Sequence, residues 1–88
     1  MNSKLPYDQL LDTLTAARQK VAPATRWRHY KGPEYVVDNI VFLEATDEVA
    51  VVYTPVLEPG VAFVRSLVSW LETVDWNGQT VPRFRQVN

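Results

Sequence analysis

Apolar side chains recur at helical spacing near the start of the chain. They lie mostly three or four positions apart, with polar side chains between them, at Leu10, Leu11, Leu14, Ala17 and Val21, and Tyr7 lies one turn earlier. This spacing is typical of an amphipathic helix that buries one face. The pattern predicts a helix from about Pro6 to Val21, and Pro23 ends it because proline cannot donate a hydrogen bond to the helix. We expect Leu10, Leu14 and Val21 to pack on an apolar face of a sheet.

Beyond Trp27 the apolar positions follow the alternation and the short runs of β-strands. Turn-forming residues separate these runs, and the predicted strands cover residues 27–31, 34–43, 48–53, 61–65, 72–76 and 79–84. Asp38-Asn39 predicts a bulge or a kink in the second strand. The segment 66–70 is ambiguous, and Ser66 could cap a single helical turn there.

Asn77-Gly78 between the last two predicted strands indicates a hairpin, because both central positions of a type I′ turn need positive φ. Short strands joined by tight turns predict a mainly β fold. We expect a small SH3-like barrel or a curled antiparallel sheet of about five strands, with one N-terminal α-helix. The hairpin should belong to this single barrel-like sheet. Residues 1–25 would supply the helix and its connector, and residues 26–88 a small β-barrel-like domain within one globular unit.

Composition narrows the class of protein further. The chain contains no cysteine, which excludes disulfides, thiolate metal sites and a cysteine nucleophile. No run approaches the roughly 20 apolar residues that span a bilayer, so we expect no membrane partner. A cysteine-free chain of 88 residues, of which 47% are hydrophobic, is typical of a small globular protein of the reducing cytoplasm.

The net charge of −1 is unevenly distributed along the chain. Residues 36–80 carry seven acidic side chains and only Arg65 as a basic one, whereas residues 26–35 and 81–88 each carry an excess of two positive charges. If the two basic segments meet in space, one face of a mildly acidic protein is positive and attracts anionic partners.

Four blocks of the β region occur in a fixed order. They are Trp-Arg-His-Tyr-Lys-Gly-Pro-Glu-Tyr at 27–35 followed by Val37, Val-Val-Tyr at 51–53, Phe-Val-Arg at 63–65, and an ending that runs from Leu71-Glu-Thr-Val through Gly78 to Val81-Pro-Arg-Phe84. In order and spacing these blocks resemble the bacterial family known as domain of unknown function 1653, over about residues 26–85. The resemblance implies a small β-barrel-like domain. It implies no reaction, because the family has no assigned activity.

His29 is the only histidine, so a histidine-based metal site is excluded, and the carboxylates show no metal-ligand spacing. We expect no metal and no cofactor. A small enzyme could use His29 as an acid or base. It would need a carboxylate to orient the ring and a nucleophile such as Ser66, Ser69 or Thr54, and no nucleophile motif surrounds these hydroxyls. A hydrogen-bonded histidine beside the core is the alternative interpretation.

Basic and aromatic residues are interleaved in two segments, 27–31 and 83–85. Aromatic faces with flanking guanidinium groups can stack on nucleobases, neutralise phosphate or hold a peptide carboxylate. Core packing of the aromatic rings is the alternative. Our first hypothesis is a non-enzymatic module that binds an anionic ligand, a peptide or a nucleic acid. Its candidate ligand-binding residues are Trp27, Arg28, His29, Tyr30, Lys31, Arg65, Arg83 and Arg85.

Three functions stay open: the binding module, the small enzyme, and a structural or interaction subunit whose helix packs on another chain. The binding module requires one side of the domain to hold four basic residues, Arg28, Lys31, Arg83 and Arg85. Ion pairs with Glu34, Glu72 or Asp75 would neutralise that side.

Overall fold

The computed structural model describes residues 5–88. Seven strands and two helices follow one another along this part of the chain. In chain order they are α1 (Tyr7–Lys20), β1 (Arg26–His29), β2 (Glu34–Leu43), β3 (Glu48–Pro55), β4 (Phe63–Ser66), α2 (Leu67–Leu71), β5 (Thr73–Trp76), β6 (Gln79–Pro82) and β7 (Phe84–Gln86). The fold is mainly β with one N-terminal helix, which confirms the predicted class. The segment 66–70, which the sequence leaves ambiguous, forms the short helix α2 that Ser66 caps.

The strands form two sheets rather than one. The larger is antiparallel, with its five strands in the order β4, β3, β2, β1, β7, and β5 pairs with β6 in a separate hairpin. Within residues 5–88 the strands close no barrel, so an antiparallel sheet of five strands is the form observed. The hairpin stands apart from it, unlike the single barrel-like sheet that the sequence predicts.

The two sheets separate at Arg83, the residue between β6 and β7. Its backbone N–H donates to the carbonyl oxygen of Glu72 at 2.9 Å, and its carbonyl oxygen accepts from the N–H of Tyr30 at 3.0 Å. Pro82, directly before it, pairs with Thr73 as the last residue of β6. Arg83 thus makes one backbone hydrogen bond on the hairpin side and one on the β1 side, so the chain passes from the hairpin to the main sheet at this residue.

β2 contains the bulge predicted at Asp38-Asn39. Its register with β3 shifts between Val37 and Asn39. One extra residue inverts the alternation of side chains beyond it. Val37 and Ile40 are an odd number of positions apart, and yet both are buried in the same core. The bulge is what allows two halves of one long strand to face that core.

α1 packs on the sheet mainly with its C-terminal half. Ala17 and Val21 are buried in the core and Leu14 is half-buried against it, which confirms the prediction for Leu14 and Val21. Leu10 is half-buried but lies outside this cluster, unlike the prediction. Earlier in the helix, Tyr7 and Leu11 are exposed. Neither helix within residues 5–88 is both long and apolar enough to span a membrane.

Aromatic rings fill the space between α2 and the sheet. Ser66 caps α2 by accepting a hydrogen bond from the backbone N–H of Ser69 at 3.1 Å. The helix places Trp70 in the core, where it is 1% exposed and stacks on Phe84 of β7 with ring centroids 3.7 Å apart. Tyr53 of β3 meets the Trp70 ring edge-on at 4.9 Å. These contacts bind α2 to both β3 and β7.

The turn between β5 and β6 holds Asn77 at φ 52° and Gly78 at φ 79°, as the hairpin prediction requires. We expect Gly78→Ala to lower the free energy of unfolding by about 1 kcal/mol, because a side chain strains this conformation. No atom lies close enough to clash with the added methyl group. Gly60→Ala is the matched control, equally unobstructed but outside the positive-φ region, and should be neutral or slightly stabilising. Urea denaturation measures both, and equal losses would rule out backbone strain as the cause.

Leu14→Ala should lower the free energy of unfolding by about 1–3 kcal/mol. The leucine is half-buried on the core, so the loss is smaller than the ~2–5 kcal/mol typical of a fully buried one. Leu11→Ala makes the same change in the same helix at a side chain that is 44% exposed, and should cost about 0.5 kcal/mol or less. Helix propensity cancels between the two variants. A larger loss at Leu11 in thermal unfolding would contradict the docking of α1 by its C-terminal half.

Candidate functional site

A cleft with a volume of about 250 Å³ opens where the end of β1 meets β7 and the hairpin. Its polar lining consists of Arg28, His29 and Arg85. Its apolar lining consists of Tyr30, Trp76, Val81 and Pro82, together with Gly32 of the β1–β2 turn. Both sheets contribute to this lining, so the cleft lies at the junction that Arg83 forms between them.

Two arginines face each other across β1 and β7. Arg28 is directly opposite Arg85 on one side and directly opposite Glu34 of β2 on the other. Nε of Arg28 donates to the Glu34 carboxylate at 3.1 Å, and Arg26 approaches the same carboxylate at 3.7 Å. Arg85 makes no ion pair with another residue of 5–88. Arg85, Arg28 and Glu34 form one row across the three strands, the basic row, which carries one uncompensated positive charge at the cleft. Like charges directly opposite on a sheet repel.

His29 lines the cleft as a neutral imidazole. Its Nδ1 accepts a hydrogen bond from the backbone N–H of Lys31 at 3.2 Å, which assigns the ring proton to Nε2. Burial lowers the pKa of His29 below its usual value of 6.5. Three neighbouring positive charges lower this pKa further, those of Arg65, Lys31 and Arg83. Near neutral pH the ring is therefore uncharged and has one N–H to donate.

Tyr30 and Trp76 supply the aromatic part of the lining. Their ring centroids are 5.1 Å apart and their planes meet at 71°, an edge-to-face arrangement. Tyr30 also lies against His29 at 4.4 Å, so the three rings form a continuous row. Trp76 remains 42% exposed. Part of its ring surface is consequently available to a ligand.

The structure brings four of the eight candidate ligand-binding residues into the cleft, namely Arg28, His29, Tyr30 and Arg85. Lys31 lies next to them, with Nζ 5.7 Å from the centre of the Tyr30 ring. Trp27 lies in the core, 8% exposed, where its Nε1 donates to Oγ1 of Thr25 at 2.8 Å. Trp27 is therefore a core residue, as the alternative interpretation of the aromatic rings predicts.

Arg65 and Arg83 converge on Ser69 rather than on the cleft. A terminal nitrogen of Arg65 donates to Oγ of Ser69 at 3.0 Å, and Nε of Arg83 donates to the Ser69 carbonyl oxygen at 2.9 Å. Arg83 also forms an ion pair with Glu72 at 3.4 Å. These contacts give both arginines a role in joining α2 to the strands.

The four basic residues predicted to share one side of the domain do not all meet at the cleft, because the Arg83 side chain binds Ser69 and does not line the cleft. Two of the four, Arg28 and Arg83, have acidic partners. The other two, Lys31 and Arg85, have none within residues 5–88, and Asp75 pairs with no member of the set. Positive charge thus remains beside the cleft, where Arg85 contributes to the lining.

Trp76 is the site residue that the sequence patterns do not identify. They place it in the β5–β6 hairpin and say nothing of which rings it meets, because that depends on contacts with β1. One feature of the sequence could have identified Trp76, namely its position next to a two-residue turn. A short hairpin can bury little of a tryptophan side chain at such a position.

The hydroxyl groups that an enzyme could use with His29 are bonded elsewhere. Oγ1 of Thr54 donates to Asp38 at 2.5 Å. Oγ of Ser69 accepts from an arginine, and Oγ of Ser66 accepts from the Ser69 backbone. Within residues 5–88 none of them hydrogen-bonds to His29. In the same part of the chain no three His, Asp or Glu side chains are placed to hold a metal ion.

The chain is a small, mainly β protein. Its helix packs on an antiparallel sheet, and a separate hairpin lies beside a basic, aromatic cleft. The model of the family described as protein of unknown function DUF1653 matches residues 25–86, and the chain belongs to this family. It is similar to a DUF1653 protein from Bordetella bronchiseptica with a known crystal structure, at 36% sequence identity and a TM-score of 0.67. The match covers 77% of this chain and 90% of that one. No functionally curated protein matches the chain.

The lowered pKa of His29 makes stability depend on pH in a defined direction. Below pH 6.5 the unfolded chain binds a proton that the folded chain resists, so the free energy of unfolding falls as the pH drops through this value. We expect wild type to lose stability between about pH 7.5 and 5.5, and His29→Gln to lose much less. Urea denaturation across this window is the measurement. Identical profiles for the two proteins would contradict the lowered pKa.

Proposed function

We propose that this chain is a non-enzymatic binding module that holds a small anionic ligand in the cleft. The observation that carries the proposal is the pairing of Arg28 with Arg85 across β1 and β7. Arg85 has no acidic partner within residues 5–88, and Arg26 and Arg28 share the single Glu34. An anion bound between the two guanidinium groups would remove their repulsion and accept charge-assisted hydrogen bonds from both.

The rest of the lining supports ligand binding. His29 is part of the lining and is neutral, so it adds no charge of its own. Tyr30 and Trp76 offer apolar ring surface next to the arginines. Ligand sites typically combine an apolar cleft with a few placed polar groups. In this arrangement the arginines attract and orient the anion, and the rings supply contact area.

Charge favours a small ligand over a nucleic acid. The whole chain has a net charge of −1, whereas nucleic-acid-binding domains are usually basic with many Lys and Arg residues on one face. The positive charge here is local to the cleft, whose volume of about 250 Å³ fits one compact anion. A cysteine-free composition fits the reducing cytoplasm, which is the compartment that we propose.

The two alternative functions have weaker support. An acid–base role for His29 has no hydroxyl partner within residues 5–88, because the three candidate hydroxyls are bonded elsewhere. An interaction subunit is favoured by the exposed Tyr7 and Leu11 of α1 and by further exposed apolar side chains in and near β4 and α2, such as Val64 and Val68. The paired arginines are specific to the binding module, since neither alternative requires them.

The test is isothermal titration calorimetry with benzoate, inorganic phosphate and a short acidic peptide at low and high salt. We expect at least one of these anions to bind and its affinity to fall with salt, because exposed charges are screened. Arg85→Gln should weaken binding about ten- to hundredfold, which corresponds to the ~1.5–3 kcal/mol of a hydrogen bond to a charged group.

Lys20→Gln is the matched control. It removes the same charge from the exposed end of α1, and Lys20 does not line the cleft. Its affinity for the anion should equal that of wild type. Equal weakening in both variants would mean that only net charge matters, and no binding of any of the three anions at low salt would refute the module.

A further inference from the structure

We infer that the anion held in this cleft is an aromatic acid. Its planar ring lies against Trp76 and Tyr30. Its acidic group lies between Arg28 and Arg85. This inference rests on the proposed function and specifies the ligand, since paired arginines alone would accept any anion.

Trp76 is the residue that points to a ring. It ends β5 in a hairpin of two four-residue strands, a unit too small to form a core of its own. The other two tryptophans are 1% and 8% exposed, whereas Trp76 is 42% exposed and lines the cleft. A ligand that covers this indole would bury apolar surface that the fold leaves open to water.

The geometry of the two rings favours a planar partner. Tyr30 and Trp76 meet at 71° with centroids 5.1 Å apart. A third ring stacked on one of them therefore meets the other nearly edge-on, and both arrangements are favourable between aromatic rings. Val81 and Pro82 add apolar contacts around it. A saturated ring of the same size fills the space but lacks these aromatic contacts.

The size of the cleft restricts the ligand further. Its volume of about 250 Å³ lies below the ~300–1,000 Å³ of most ligand pockets. One or two fused rings with a single acidic group fit such a space.

A comparison of benzoate with cyclohexanecarboxylate separates the effect of the aromatic ring from the effect of the charge. Each acid carries one carboxylate, and the two are nearly the same size. In calorimetric titrations of wild type we expect benzoate to bind about three- to tenfold more tightly. Trp76→Leu should abolish this preference. Trp76→Phe should retain most of it, since it keeps a ring at the same position. Circular dichroism of both variants checks that the exposed position tolerates the change.

Each outcome distinguishes the ligand class from the anion site. Equal affinity for the two acids in wild type, with binding still lost in Arg85→Gln, would overturn the aromatic ligand and leave the anion site in place. A preference for benzoate that survives Trp76→Leu would overturn the assigned position of the ring. No binding of either acid, of inorganic phosphate or of the acidic peptide would overturn the anion site itself, and the aromatic ligand with it.

Discussion

The backbone of Arg83 bonds to two separate parts of the chain, and the arrangement of both sheets follows from these bonds. Its N–H donates to Glu72 before the hairpin, and its carbonyl oxygen accepts from Tyr30 after β1. Its guanidinium group repeats the connection by binding the Ser69 carbonyl oxygen and the Glu72 carboxylate. Because these partners lie at the ends of α2 and β1 and at the start of the hairpin, Arg83 determines where the hairpin sits against the main sheet.

Four consecutive residues around this junction each contribute to the fold or to the cleft. Pro82 lines the cleft, Arg83 joins the sheets, Phe84 stacks on Trp70 in the core, and Arg85 completes the basic row. The alternation of side chains along β7 sends Phe84 to the core face and Arg85 to the opposite face. Because Arg83 joins the two sheets and the cleft lies between them, a substitution of Arg83 would alter both the stability of the fold and the shape of the cleft. Arg85 is exposed and unpaired within residues 5–88, so it can report on binding without disturbing the core.

Features with local causes can be predicted from this sequence. The spacing in α1, the bulge in β2, the cap of α2 and the hairpin turn each depend on residues close together in the chain, and all four are present in the structure. The roles of the basic residues could not be predicted in the same way. Arg83 and Arg85 are alike in type and almost adjacent, and yet within residues 5–88 only Arg83 has an acidic partner. Their difference arises from the register of β7 on β1, which depends on tertiary contacts, and the same contacts bring Trp76 to Tyr30.

The three tryptophans make the central claim directly measurable, because two of them report on the core and one on the cleft. Trp27 and Trp70 are buried, whereas Trp76 lines the cleft. The measurement is a nitrogen-15 NMR titration that follows the three indole N–H signals as benzoate is added. We predict a saturating shift of the Trp76 signal while the signals of Trp27 and Trp70 stay in place. Saturating binding with no change at Trp76, or with equal shifts at all three, would contradict the assignment of this cleft as the ligand site.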